Sequence, residues 1–141
     1  MVRDFFALSE TGSVRQRNED SYLLDAERGI FAVADGLGGL PYGKEASGRT
    51  LSSLHEALRE DVHQPLPDLV RRINLAMIEA GFALDGTGFG TTLTLALFSR
   101  DASSAEIVHV GDSTACLCRD HLVSVLTIEH TVATRMVAEQ W

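Results

Sequence analysis

The chain has 141 residues, 45% of them hydrophobic, and carries a formal net charge of −8. That is one domain's length with enough apolar content for a packed core, while the acidity weighs against a general nucleic-acid surface and suits cations. No apolar run reaches the roughly 18 residues of a membrane span, no apolar leader opens the chain, and a cytoplasmic location without membrane or nucleic-acid partners is expected.

In chain order, Phe5, Phe6 and Leu8 are expected to open a strand before a polar turn at residues 9–12. After the polar stretch Val14-Arg15-Gln16-Arg17-Asn18-Glu19-Asp20, the run Ser21-Tyr22-Leu23-Leu24 reads as a second strand ending near Asp25. A turn around residues 27–29 leads to a strand over residues 30–34, and so short a connection requires antiparallel neighbours. Such a hairpin brings Glu19 and Asp20 to the same end as Asp35. The strand delivers that aspartate straight into Gly36-Leu37-Gly38-Gly39, where glycines allow a sharp turn beside the carboxylate. An unpaired charge at the edge of a core is expensive. A divalent cation would relieve it, although the segment also reads as an aspartate capping its own turn.

From Tyr42 the period becomes helical, with Ser47, Thr50, Leu51, Leu54, Ala57, Leu58 and Val62 on one side. Pro65 and Pro67 break it. Pro67 suits the first position of a second helix, with Asp68 in its electropositive first turn and Leu69, Ile73, Met77 and Ala80 as the buried stripe. Residues 85–90 end that helix and open a strand over residues 91–98. Another strand at 106–110 precedes Gly111-Asp112-Ser113, residues 115–117 are expected to return across a hairpin, and Asp120-His121 marks a further turn. Cys116 and Cys118 would point oppositely on a strand, so no disulfide between them is expected. The tail from His130 begins a helix. Strands, two helices and then strands again favour an α+β or layered sandwich over a doubly wound sheet, in one domain over residues 1–141.

Two glycine-rich segments are poor phosphate or dinucleotide loops. Gly38-Gly39-Leu40-Pro41-Tyr42-Gly43-Lys44 has the spacing of a phosphate loop, but Glu45 follows where a magnesium-binding hydroxyl belongs, and Pro41 removes an N–H. Gly86-Thr87-Gly88-Phe89-Gly90 introduces a strand instead of a helix, so Thr87, Thr91 and Thr92 read as turn and strand packing.

Glu19, Asp20, Asp35 and Asp112 each flank an apolar strand or a glycine turn, and oxygen donors of this kind suit magnesium or manganese. Arg15 can fork two phosphate oxygens, although it also reads as a surface arginine at a strand end. Together with Val14-Arg15, Asn18-Glu19-Asp20, Ala34-Asp35-Gly36-Leu37-Gly38-Gly39, the helix start over residues 43–47, Gly90-Thr91-Thr92 and Val110-Gly111-Asp112-Ser113, the chain resembles the PP2C (PPM) family of metal-dependent serine/threonine phosphatases, in its compact bacterial form. Leu126-Thr127-Ile128-Glu129-His130 resembles a later family segment, with Glu129 where aspartate is usual.

The resemblance implies a β-sandwich flanked by helices and hydrolysis of phosphoserine or phosphothreonine in proteins by direct attack of metal-bound hydroxide. It makes Asp35 the carboxylate bridging two core Mn2+ or Mg2+ ions, with the Gly36 carbonyl supporting one of them. Glu19 would assist that site and Asp20 would orient its water. Arg15 would bind phosphate, and Asp112 would serve a third ion found in bacterial members. A phosphorylated protein, with a bacterial serine/threonine kinase opposing the activity, is the implied partner. Leu37, Thr114 and Cys116 depart from common family residues, and the relatives' remaining metal-ligating aspartates have no match before Trp141. The chain therefore resembles the N-terminal half of the domain. Alone it is expected to be marginal and inactive, or to cover its exposed surface by self-association or a rearranged packing. A non-catalytic phosphoprotein-binding or regulatory module on the same fold is the alternative.

Overall fold

A computed structural model describes residues 4–37, 42–84 and 89–138. Strands β1 (Asp20–Asp25) and β2 (Ile30–Asp35) come first, then helices α1 (Gly43–Glu60) and α2 (Leu66–Leu84). Strands β3 (Leu93–Phe98), β4 (Ala105–Val110), β5 (Cys116–Arg119) and β6 (Leu122–Val125) follow, and α3 (Val132–Ala138) closes the order. The first four strands form one antiparallel sheet in the order β1-β2-β3-β4, and β5 and β6 form a separate two-stranded ribbon. Layered sheets and helices therefore make an α+β fold, as the grouping of elements predicts.

The two periodicities explain the layering. Along β2, Ile30, Ala32 and Ala34 are buried while Val33 and Asp35 are exposed, the alternation of a strand with one covered face. Along α1, Ser47, Leu51, Leu54 and Leu58 are buried at helical spacing. These side chains meet Leu93 and Leu95 of β3 and Leu66, Leu69 and Ile73 of α2 in a single core. Leu54 and Leu95 are fully buried, and truncating either to alanine should cost about 2–5 kcal/mol. On the other face Tyr22 and Val33 are exposed, while Phe31 is flanked edge-on by Phe5 and Phe98.

Two local expectations need correction. Residues 5–8 join no strand; Phe5 instead packs its ring against Phe31, with centroids 5.7 Å apart. The segment at 115–117 does not return along β4. It enters β5 and pairs with β6, whose two-residue connection has Asp120 and His121 both at positive φ (51° and 63°). That conformation matches the right-handed twist of paired strands and makes the ribbon a purely local structure. The second helix starts at Leu66, one residue before the predicted proline.

The β1–β2 turn is fixed to α1 through Asp25, whose side chain is 10% exposed. It accepts from His55 Nε2 at 2.9 Å, from Arg28 Nη1 at 3.2 Å and from the Arg28 N–H at 3.1 Å. Burial works to raise the Asp25 pKa, but these hydrogen bonds outweigh it and hold the carboxyl below its ordinary range. A depressed folded-state pKa contributes stability above the unfolded value, which is lost as pH falls through the folded one. Asp25→Asn should therefore cost about 1–2 kcal/mol at neutral pH. Urea unfolding as a function of pH should show the gap to the parent closing as the solution becomes strongly acidic, and a gap independent of pH would refute the assignment.

Candidate functional site

The β1–β2 register pairs Asp20 directly with Asp35, so two carboxylates meet at the open end of the hairpin. The backbone around Asp35 is fixed from both sides. Its N–H donates to Thr92 Oγ1 at 2.9 Å, and its carbonyl accepts from the Thr92 N–H at 2.9 Å and from Thr91 Oγ1 at 2.8 Å. The Gly36 N–H donates to the Glu19 carbonyl at 3.2 Å, and Leu37 N–H to the Gly90 carbonyl at 3.0 Å. A Cβ on Gly36 would lie 2.2 Å from the Gly43 carbonyl oxygen, and one on Gly43 would lie 2.9 Å from Glu19 Cδ. The aspartate turn, the start of α1 and Glu19 thus approach closely; at Gly36 the contact is with backbone and requires glycine, whereas at Gly43 the Glu19 side chain would have to move aside.

Further contacts order the strand before Asp20. Asn18 accepts from the Asp20 N–H at 2.9 Å and donates to Ser9 Oγ at 2.6 Å. Ser47, near the start of α1, donates to the Glu19 carbonyl at 2.6 Å and sits 2.9 Å from Ser21 Oγ. Lys44 reaches the Asp20 carbonyl and Ser21 Oγ. That placement of Lys44 leaves the phosphate-loop spacing without a cradle at its lysine; residues 38–41 of that motif, like residues 86–88 of the second glycine segment, lie outside the described residues.

Partial burial and then the adjacent Asp20 carboxylate raise the Asp35 pKa, Asp112 adds to the rise, and Arg15 opposes it. Four of the six sequence-predicted site residues therefore share one electrostatic environment. Arg15 is 65% exposed at its side chain, and its guanidinium lies 4.0 Å from the Glu19 carboxylate. The Glu19 carboxylate packs on Gly43, and Gly36 meets that site through its backbone. A cleft of about 230 Å³ opens between Asp20 and Asp35 and is also lined by Ser9, Tyr22, Val33 and Ser113.

Asp112 follows β4 in a turn secured through Gly111. The Gly111 carbonyl accepts from His109 Nε2 at 2.9 Å and from the His130 N–H at 2.8 Å, while the Gly111 N–H donates to His130 Nδ1 at 3.3 Å. The His109 and His130 rings lie 5.2 Å apart. The sequence places Ser47 on the buried side of α1, Ser113 beside Asp112 and His130 in a family-like segment, but the contacts these hydroxyls and imidazoles make follow no local spacing and were not legible.

The donors are hard oxygens and two of the carboxylates press on each other, a chemistry that fits a divalent cation. Among the described residues no group of three or more His, Cys, Asp or Glu side chains is gathered closely enough to hold a metal by itself. The oxygen set is a pair with neighbours at electrostatic range.

The sequence profile of the family described as Protein phosphatase 2C matches residues 11–137. The chain belongs to that family. Among its protein phosphatase 2C relatives, Serine/threonine protein phosphatase PstP of Mycobacterium tuberculosis is 33% identical over 147 residues, which cover 99% of this chain and 27% of that protein. Serine/threonine phosphatase stp of Listeria monocytogenes is 28% identical over 141 residues, covering 92% of this chain and 55% of its own length. The crystal structure of the PstP catalytic domain with two manganese ions superposes with a TM-score of 0.76 at 34% identity, over 94% of this chain and 58% of that one. The PPM phosphatase of Mycobacterium smegmatis in complex with cacodylate gives 0.79 at 31% identity, over 94% and 56%. This protein phosphatase 2C chain thus spans about half the length of these solved relatives. Among its described residues no helix is long and apolar enough to cross a membrane.

Proposed function

We propose that the full-length protein is a metal-dependent phosphatase acting on phosphoserine and phosphothreonine in proteins, and that residues 1–141 are the N-terminal portion of its single catalytic domain. The observation that carries this reading is the Asp20–Asp35 pair at the hairpin end, with Arg15 and Asp112 in its field. Family membership and the manganese in the related PstP domain support it.

In this reading Asp35, Glu19, Asp112 and the Gly36 carbonyl hold Mn2+ or Mg2+. Two core ions there, with a third near Asp112, would supply an activated water and neutralise charge on the phosphoryl group. Asp20, fixed beside Asp35 by the strand register, would accept a hydrogen bond from that water and orient it. Arg15 presents its guanidinium to two phosphoryl oxygens, a forked geometry that a point charge does not reproduce. The exposed Cys116 and Cys118 are free thiols and suit the reducing cytoplasm, where the phosphoprotein substrates and an opposing serine/threonine kinase would reside.

The test is phosphate release from phosphoserine and phosphothreonine peptides by the full-length gene product, which should require Mn2+ or Mg2+. No release across both metals and a peptide panel overturns the proposal. One observation favours a second reading: the described residues gather no three-ligand cluster, while Arg15 remains exposed. A non-catalytic phosphoprotein-binding module would bind phosphopeptides through Arg15 without turnover, and binding that ignores the phosphate would exclude it.

A further inference from the structure

We infer that Thr92 is the positioning residue that sets the separation of Asp35 and Asp112. The inference rests on the metal reading above and assigns the coupling between its two acidic elements to one buried side chain.

Thr92 is only 5% exposed and precedes β3 between the end of β2 and the Asp112 turn. It takes both backbone groups of Asp35: its N–H donates to the Asp35 carbonyl and its Oγ1 accepts the Asp35 N–H, each at 2.9 Å. The same Oγ1 lies 3.0 Å from Ser113 Oγ. Accepting the Asp35 N–H uses one lone pair of the threonine hydroxyl and leaves its proton and a second lone pair, so it can share a hydrogen bond with Ser113 in either direction. On the other flank, Gly111 has φ 114°, and a Cβ built there would sit 2.6 Å from Thr92 Cγ2. Asp112 therefore stands between a glycine packed on the threonine methyl and a serine bonded to its hydroxyl. Serine would supply the hydroxyl and valine the methyl. Threonine supplies both, and both acidic elements are registered on it.

Partners that orient ligating carboxylates typically change metal affinity about 10–100-fold when removed. Isothermal titration of Mn2+ into the full-length protein separates hydroxyl from bulk. Thr92→Val and Ser113→Ala should each weaken binding by about 10-fold or more, and Thr92→Ser should stay within about threefold of the parent. The Thr92→Val/Ser113→Ala double variant should lose little beyond Thr92→Val, because both changes cut one link. Ser113→Ala leaves the Asp35–Thr92 bonds in place and carries the test if Thr92→Val fails to fold. Parental affinity in Thr92→Val or Ser113→Ala, a Thr92→Ser as weak as Thr92→Val, or additive losses in the double variant overturns the inference. A parent protein with no Mn2+ affinity overturns the metal reading itself, which distinguishes the two failures.

Discussion

Asp35→Asn in the full-length protein is expected to cut Mn2+-dependent phosphate release by at least about 100-fold while the metal-free protein becomes no less stable. Activity and stability should move in opposite directions for one physical reason. Partial burial and then Asp20 raise the Asp35 pKa, and Asp112 adds to the rise, so the ionised group is unfavourable in the metal-free fold. A folded-state pKa above the unfolded one contributes stability below the unfolded value, which is lost as pH rises through the folded value. At neutral pH the metal-free parent therefore carries unrelieved repulsion, which asparagine removes at nearly constant size. Thr91 and Thr92 grip Asp35 only through its backbone, so the β2 end survives the change. Thermal unfolding without metal should place Asp35→Asn at or above the parent at neutral pH, with the difference shrinking in acid. Added Mn2+ should raise the parent melting temperature and have a much smaller effect on the variant. An active variant, or one that melts well below the metal-free parent, would show that this carboxylate is structural.

How much of this was legible in the sequence depends on the range of each interaction. Ile30, Ala32 and Ala34 announce a strand with one covered face, and Leu51, Leu54 and Leu58 a helix above it, because those periods are local. The short connection at Gly29 sets the antiparallel sense, and from there the meeting of Asp20 with Asp35 follows. Residues 5–8 are apolar without alternation, and ring packing on Phe31 takes the place of a strand ladder. The partner of β5 was not legible: an apolar stretch after a turn can pair backward or forward, and the left-handed Asp120-His121 connection decides for β6. Thr92 looks like strand packing in the sequence and is packed. That its hydroxyl joins Asp35 to Ser113, 21 residues further along, is a property of the folded sheet alone.

Arg15→Ala should separate substrate binding from metal binding. The Arg15 side chain is 65% exposed and its contact with Glu19 is 4.0 Å, a surface pair whose loss should cost no more than about 0.5 kcal/mol of stability. Its positive charge lowers the Asp35 pKa, and the same field opposes a cation near that carboxylate. Removing it should leave Mn2+ affinity equal or slightly tighter. A phosphoryl dianion, in contrast, loses a charge-assisted fork worth about 1.5–3 kcal/mol, so kcat/KM on phosphopeptides should fall about 10–100-fold. Arg15→Lys keeps the charge without the planar fork and should fall between the two. Calorimetry with Mn2+ beside phosphopeptide kinetics gives both readouts on the same full-length preparations. Parental kcat/KM in Arg15→Ala would remove the arginine from the site, and a collapse of Mn2+ affinity would reassign it to ordering Glu19.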